Sequence, residues 1–284
     1  MAPRFSPVWL VLLGILSVQL GAAVAKLLFG EIPPTGMVWL RLVTSALVLG
    51  LVARPAWRGR TRADWAVVVG FGVTLGVMNW SIYQAFARIP LGVAVTIEFV
   101  GPLTIAVLGS RRARDLIWVG LAGTGVLLLG IQPGEVTLVG AGFALLAGAA
   151  WAAYILLSAQ TGARWPGLDG LAVASVVATV LLAPAAVVSA GATLLDPRIL
   201  AIGAAVGLLS SVVPYSVEMM ALRRLRPAVF SILMSLEPAA AALVAILVLG
   251  EFLTPAQWVA MACVVVASVG ATRSGRGLTE PAPD

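Results

Sequence analysis

Two glutamates interrupt long apolar runs, and each has a proline close behind it: Glu98 in VAVTIEFVGPL and Glu237 in ILMSLEPAAAAL. A carboxylate at the centre of a membrane helix costs on the order of 3 kcal/mol and is retained chiefly where it serves a pathway, a relay or a buried partner. The prolines add a second opening. Pro102 has no N–H to donate to the carbonyl of Glu98, and Pro238 has none for the carbonyl of Met234, beside Glu237. A carboxylate beside a freed carbonyl can hold a cation, an ammonium group or a proton. The plainer alternative is a packing kink whose glutamate is neutral or paired with Arg or Lys. Gln19, Asn79, Tyr83, Gln84, Tyr154 and Tyr215 also fall well inside apolar runs, where each can bridge helices or touch a solute. Lys26 and Arg41 lie within a turn or two of run ends, so snorkelling anchors and carboxylate-binding or gating roles are both open. Glu218 is expected to pair with Arg223 or Arg224, and Pro214 to kink its helix. Gly21 with Ala25, and Gly148 with Ala152, read as helix-packing pairs.

The elements that position these groups must be membrane helices. Hydrophobic residues make up 61% of the chain and charged residues 11%, against about 25% charged in a soluble domain. Mean hydropathy is +1.05. There is no His, so Ser-His and Cys-His nucleophiles and imidazole metal sites are excluded. The one cysteine, Cys263, cannot form an intrachain disulfide and reads as a packing residue. Neither a metal nor a cofactor is expected. The net charge of +6 has no folded soluble domain on which to form a nucleic-acid face. The carboxylates are scattered singly, unlike the clustered groups an intramembrane enzyme acting on lipid would need.

At about 20 apolar residues per span, the chain reads as ten helices, approximately Val8 to Phe29, Gly36 to Ala53, Trp65 to Phe86, Pro90 to Leu108, Leu116 to Ile131, Thr137 to Ala159, Gly170 to Ala190, Ile199 to Leu222, Pro227 to Leu249 and Pro255 to Thr272. Continuous apolar runs argue against barrel strands, which alternate. With the N-terminus inside, the cytoplasmic loops hold Arg54, Arg58, Arg60 and Arg62, then Arg111, Arg112 and Arg114, then Arg164, then Arg223, Arg224 and Arg226. The opposite loops hold only Arg88 and Arg198 among arginines, with Glu31, Glu135, Asp196 and Glu251. That asymmetry predicts an N-in, C-in topology, the basic loops being topology signals with contact to anionic lipid as the lesser role.

The spans divide into two five-helix halves, residues 1–135 and 136–273, followed by a disordered cytoplasmic tail over 274–284. A shift of 136 residues lays Gln84–Leu103 over Met220–Ala239 and matches Ala85 with Ala221, Arg88 with Arg224 and Pro102 with Pro238. Trp118 meets Trp258 only after a four-residue gap. An odd number of spans per half inverts the second half, the construction of many secondary transporters, whose site lies on the repeat interface. Gly101 occupies the place of Glu237, so Glu98 sits one turn earlier on the same face.

The segments SVQLGAAVAKLLF, PLGVAVTIEFVGPL, SRRARDLIWV, GAAWAAYILLSAQTG, PYSVEMMAL and MSLEPAAAA, with Leu249-Gly250-Glu251 before the last span, carry a resemblance over nearly the whole chain. In them the chain resembles the EamA-type branch of the drug/metabolite transporter superfamily, and within it the bacterial inner-membrane threonine/homoserine exporters. The resemblance implies an inner-membrane protein that expels small hydrophilic amino acids at the expense of the proton gradient. A transporter of another metabolite or drug, or a membrane protein that moves no solute, are the alternatives. The expected partners are an amino acid, a proton and membrane lipid.

Arg4, an apolar run and Ala23-Val24-Ala25 imitate a cleavable signal peptide. Cleavage would leave nine spans and break the symmetry. N-terminal sequencing of the mature protein is therefore expected not to begin at Lys26.

Overall fold

Each apolar run is helical because a bilayer offers the backbone no other donor or acceptor, so every span must close its own hydrogen bonds. The computed structural model describes residues 7–108, 116–130, 136–214, 217, 221, 225 and 227–274. Tyr215, Glu218, Arg111, Arg112, Arg114, Arg223, Arg224 and Arg226 lie outside the described residues, as does the tail beyond 274. All regular structure among the described residues is helical: α1 (Pro7–Leu27), α2 (Pro34–Ala53), α3 (Arg62–Phe86), α4 (Leu91–Glu98), α5 (Val100–Leu108), α6 (Leu116–Gly130), α7 (Leu138–Gly162), α8 (Asp169–Ala190), α9 (Pro197–Gly207), α10 (Pro227–Met234), α11 (Glu237–Val244) and α12 (Pro255–Ser274). Among the described residues, eight stretches are long and apolar enough to cross a membrane, and the apolar helices over Leu116–Leu129 and Pro197–Val212 are shorter.

The two glutamate-proline spans are broken rather than gently kinked. Glu98 closes α4, Phe99 is the joint, and α5 restarts at Val100. Ser235 and Leu236 form a turn before Glu237 opens α11. Beyond α11 and α9 the helices widen to π turns, at Ala245–Leu249 and Leu208–Val212. Expected as a simple kink, Pro214 instead follows the second of these widened turns. Its missing N–H leaves carbonyls in that turn free for other donors.

Helix α3 packs along α7 and α8, α2 along α8, and α12 along α6. Small residues allow these approaches. A Cβ on Gly72 would lie 2.7 Å from the Ala174 carbonyl oxygen, and one on Gly92 would lie 3.0 Å from Ala242 Cα, where α4 meets α11. The α4–α5 joint lies flat on α7: a Cβ on Gly148 would reach to 2.6 Å of the Glu98 carbonyl oxygen, and one on Gly101 would strike the Gly148 carbonyl. The freed carbonyl of Glu98 therefore faces α7. This corrects the expectation that it is open to a ligand.

Polar clamps tie the connections at both faces. On one, Thr61 and Asp64 form a capping box, Arg164 pairs with Asp64 at 3.2 Å, and Arg60 lies 4.3 Å over the buried Trp165 ring. On the other, Arg198 pairs with Glu31 at 2.7 Å.

Gly148→Val is expected to cost about 1–3 kcal/mol through overpacking, read as a fall in the thermal unfolding midpoint in detergent. Gly142→Val on the same helix, where a Cβ would meet nothing within 4 Å, should leave the midpoint unchanged.

Candidate functional site

Glu98 and Glu237 meet in one interior cavity of about 110 Å³, which Gln19, Arg41, Asn79 and Trp151 also line. The pieces come from six helices. Helix α1 supplies Gln19, α2 Arg41, α3 Asn79, α7 Trp151, the end of α4 Glu98 and the start of α11 Glu237. Glu98 thus stands at the negative end of one half-helix and Glu237 at the positive end of another. Both carboxylates are buried, as are Gln19 and Asn79. Gln19 Nε2 donates to Glu237 Oε1 at 3.4 Å, and Asn79 Nδ2 donates to the Leu75 carbonyl at 2.8 Å within its own helix.

Arg41 reaches the interior because the widened turn after α9 offers it an acceptor. Its Nη2 donates to the Ser210 carbonyl at 3.1 Å, and Ser17 Oγ donates to the neighbouring Leu209 carbonyl at 2.6 Å. These are the carbonyls that Pro214, four or five residues on, has no N–H to meet. Gly207 brings this stretch close to α2: a Cβ there would lie 3.1 Å from the Arg41 carbonyl oxygen. Arg41 also lies 5.7 Å over the Tyr83 ring. Gln19 Oε1, Arg41 Nε and Tyr83 Oη are buried and accept or donate no hydrogen bond within the protein. Polar groups so placed are satisfied by water or by a solute.

Five of the residues singled out from sequence thus line this cavity: Glu98, Glu237, Gln19, Asn79 and Arg41. Tyr83 lies behind Arg41, outside the lining. Tyr154 is elsewhere, packed against Phe71 with ring centroids 4.9 Å apart on the α3–α7 seam. Lys26 is not in the cavity either. Its Nζ pairs with Glu251 Oε1 at 2.6 Å and donates to the Ile89 carbonyl at 2.9 Å. Pro102 and Pro238 lie just beyond the two breaks but outside the lining.

Sequence reasoning passed over Trp151 and Phe86, which also bound the cavity. Trp151 lies three residues after Gly148 and so shares its helix face, a signal that was legible. Phe86, at the end of an apolar run, carried none.

An all-helical membrane protein with two carboxylates and a guanidinium converging on an interior cavity has the construction of a solute transporter. The chain belongs to the EamA-like transporter family, whose model matches residues 138–273. It is similar to the threonine/homoserine exporter RhtA of Salmonella typhimurium, 42% identical over 277 residues that cover 95% of this chain and 93% of that protein. RhtA of Escherichia coli is 40% identical over 281 residues, 96% of this chain and 95% of its own length. A solved crystal structure matches the fold with a TM-score of 0.65 over 96% of this chain and 99% of the other, at 18% identity. The protein is a multi-pass protein of the bacterial inner membrane.

Gly21 marks where α1 touches the turn that holds Arg41, since a Cβ there would collide with Ser210 Oγ. Gly21→Ala is expected to cost about 1–3 kcal/mol of stability. Ser210→Ala in the same chain should restore most of it in thermal unfolding, because that hydroxyl makes no hydrogen bond in the protein.

Proposed function

We propose that the protein is a secondary active exporter of small, threonine- or homoserine-like amino acids, driven by proton exchange. The carrying observation is the charge set of the cavity: two glutamates face one arginine. With all three ionised the cavity carries one uncompensated negative charge, which is costly away from water. One proton balances it, and so does one ammonium group. Competition of the two for the same carboxylates is the elementary requirement for antiport.

A zwitterionic amino acid fits the arrangement at both ends. Glu98, with Glu237 held by Gln19, takes the ammonium group or the proton. Arg41, with its free Nε, takes the carboxylate. Lys26 pairs with Glu251 outside this cavity, so it is not the carboxylate ligand here. A cavity of about 110 Å³ suits a small solute and disfavours a bulky drug. The names of the two exporters described above support the same substrate class.

The wider frame of this reading is ten membrane helices in two inverted five-helix halves, residues 1–135 and 136–273, with both termini in the cytoplasm. The antiparallel meeting of α4 and α11 at Gly92 and Ala242, each belonging to a broken glutamate-proline span, supports the inversion. Rocking of the halves about the cavity would expose it alternately to each side. No enzymatic step enters.

The test is uptake of an amino-acid panel into inverted membrane vesicles, with and without an imposed proton gradient. Threonine or homoserine should accumulate only with the gradient. If no amino acid responds, the substrate assignment fails. Glu98→Gln should cut gradient-driven uptake on the order of 10–100-fold, the loss of a buried charged hydrogen-bond partner. Transport equal to wild type in that variant would remove Glu98 from the mechanism.

A further inference from the structure

A second cavity, of about 400 Å³, lies between the end of α1, the α3–α4 connection and the loop after α11. Lys26, Arg88 and Glu251 line it, and Phe86 borders both this cavity and the central one. Its charged groups join three segments at one point. Lys26 Nζ contacts Glu251 Oε1 at 2.6 Å and the Ile89 carbonyl at 2.9 Å, while Glu251 Oε2 accepts from Leu91 N–H at 2.8 Å. Glu251 follows Gly250, whose φ of +69° turns the chain sharply out of the preceding helix. Arg88 is held by Gln84, through its carbonyl at 2.6 Å and its Oε1 at 2.9 Å.

We propose that this vestibule is a peripheral amino-acid site and that the Lys26–Glu251 pair, above Phe86, is a gate which a zwitterion opens by exchanging partners with it. The inference rests on the reading of the central cavity as an amino-acid site. Lys26 lies in one half of the chain and Glu251 in the other, so the pair is a fastening between parts that must separate if the halves rock. Parting the pair leaves a half-buried ammonium and a half-buried carboxylate without partners, which holds the gate shut. A zwitterion supplies one charge to each. Its carboxylate meets Lys26, its ammonium group meets Glu251, and both charges stay paired as the segments move apart. A solute with a single charge satisfies only one side. Selection would therefore occur at the gate as well as in the central cavity. Release of Glu251 also uncaps Leu91, freeing the start of α4, the half-helix that ends at Glu98.

The single native cysteine allows a direct test. In a Cys263→Ala background, Val95→Cys places a thiol in the central cavity behind Phe86. Its reaction with a membrane-impermeant methanethiosulfonate is followed in whole cells and in inverted vesicles, with threonine, with a cationic amine or with no solute. The proposal expects slow labelling from the Lys26 face, acceleration of about tenfold by threonine but not by the amine, and fast labelling in Glu251→Gln without any solute. Lys26→Met, which removes the other partner of the pair, should likewise label fast without any solute. Labelling at one rate in wild type, Glu251→Gln and Lys26→Met overturns the gate. Fast labelling in Glu251→Gln with no response to any amino acid in the parent keeps the gate and overturns the amino-acid reading. A response to the amine equal to that of threonine overturns the partner exchange. A second measurement guards against misfolding: Lys26→Cys and Glu251→Cys joined by a bifunctional methanethiosulfonate should block transport until a reductant is added. Unimpaired transport in the cross-linked protein also overturns the gate.

Discussion

Every backbone polar group inside a bilayer must find a partner within the protein, and the arrangement of the site follows from where this chain breaks that rule. Pro214 withholds a donor from the widened turn after α9, and the carbonyls of Leu209 and Ser210 are met by Ser17 and Arg41 instead. Meeting that demand draws a guanidinium from α2 into the interior. Pro102 withholds a donor from Glu98, whose carbonyl is covered by the bare backbone at Gly148. The side chain of Glu98, on the other side of the joint, lines the cavity. Backbone defects thus set the positions of the charges.

Close packing makes these repairs possible. Without a hydrophobic drive between helices in lipid, association depends on contact and on interhelical hydrogen bonds, and small residues permit both. Gly21, Gly101, Gly148 and Gly207 each stand where one helix meets another near the cavity. Their place beside the proline breaks explains how a helix can be interrupted without exposing polar groups to lipid.

The charges fall into two layers with different surroundings. At the rim, Lys26 and Glu251 remain partly exposed and pair directly at 2.6 Å. In the interior, two glutamates face one arginine, so with all three ionised the cavity would be short of one positive charge. A rim pair that is complete holds segments together. The proposed exchange of a proton for an ammonium group rests on that imbalance in the interior set. Phe86 stands between them.

Composition and apolar run length determined the membrane class and most helix positions, because the cost of an unsatisfied backbone in lipid leaves no other local solution. The same cost singled out Glu98, Glu237, Gln19, Asn79 and Arg41, which line one cavity, since polar groups deep in apolar runs need a reason. Partner choice was not legible. Lys26 and Arg41 look alike in sequence, each near a span end, yet one is bound to Glu251 across 225 residues of chain and the other to Ser210. Tyr154 and Tyr83 also look alike, and only packing sends one to the α3–α7 seam and the other behind Arg41. Helix rotation and long-range pairing decide such matters, and neither is a local property of the chain. Only the tertiary structure closed α1, α4 and α11 around one cavity and set a second beyond Phe86.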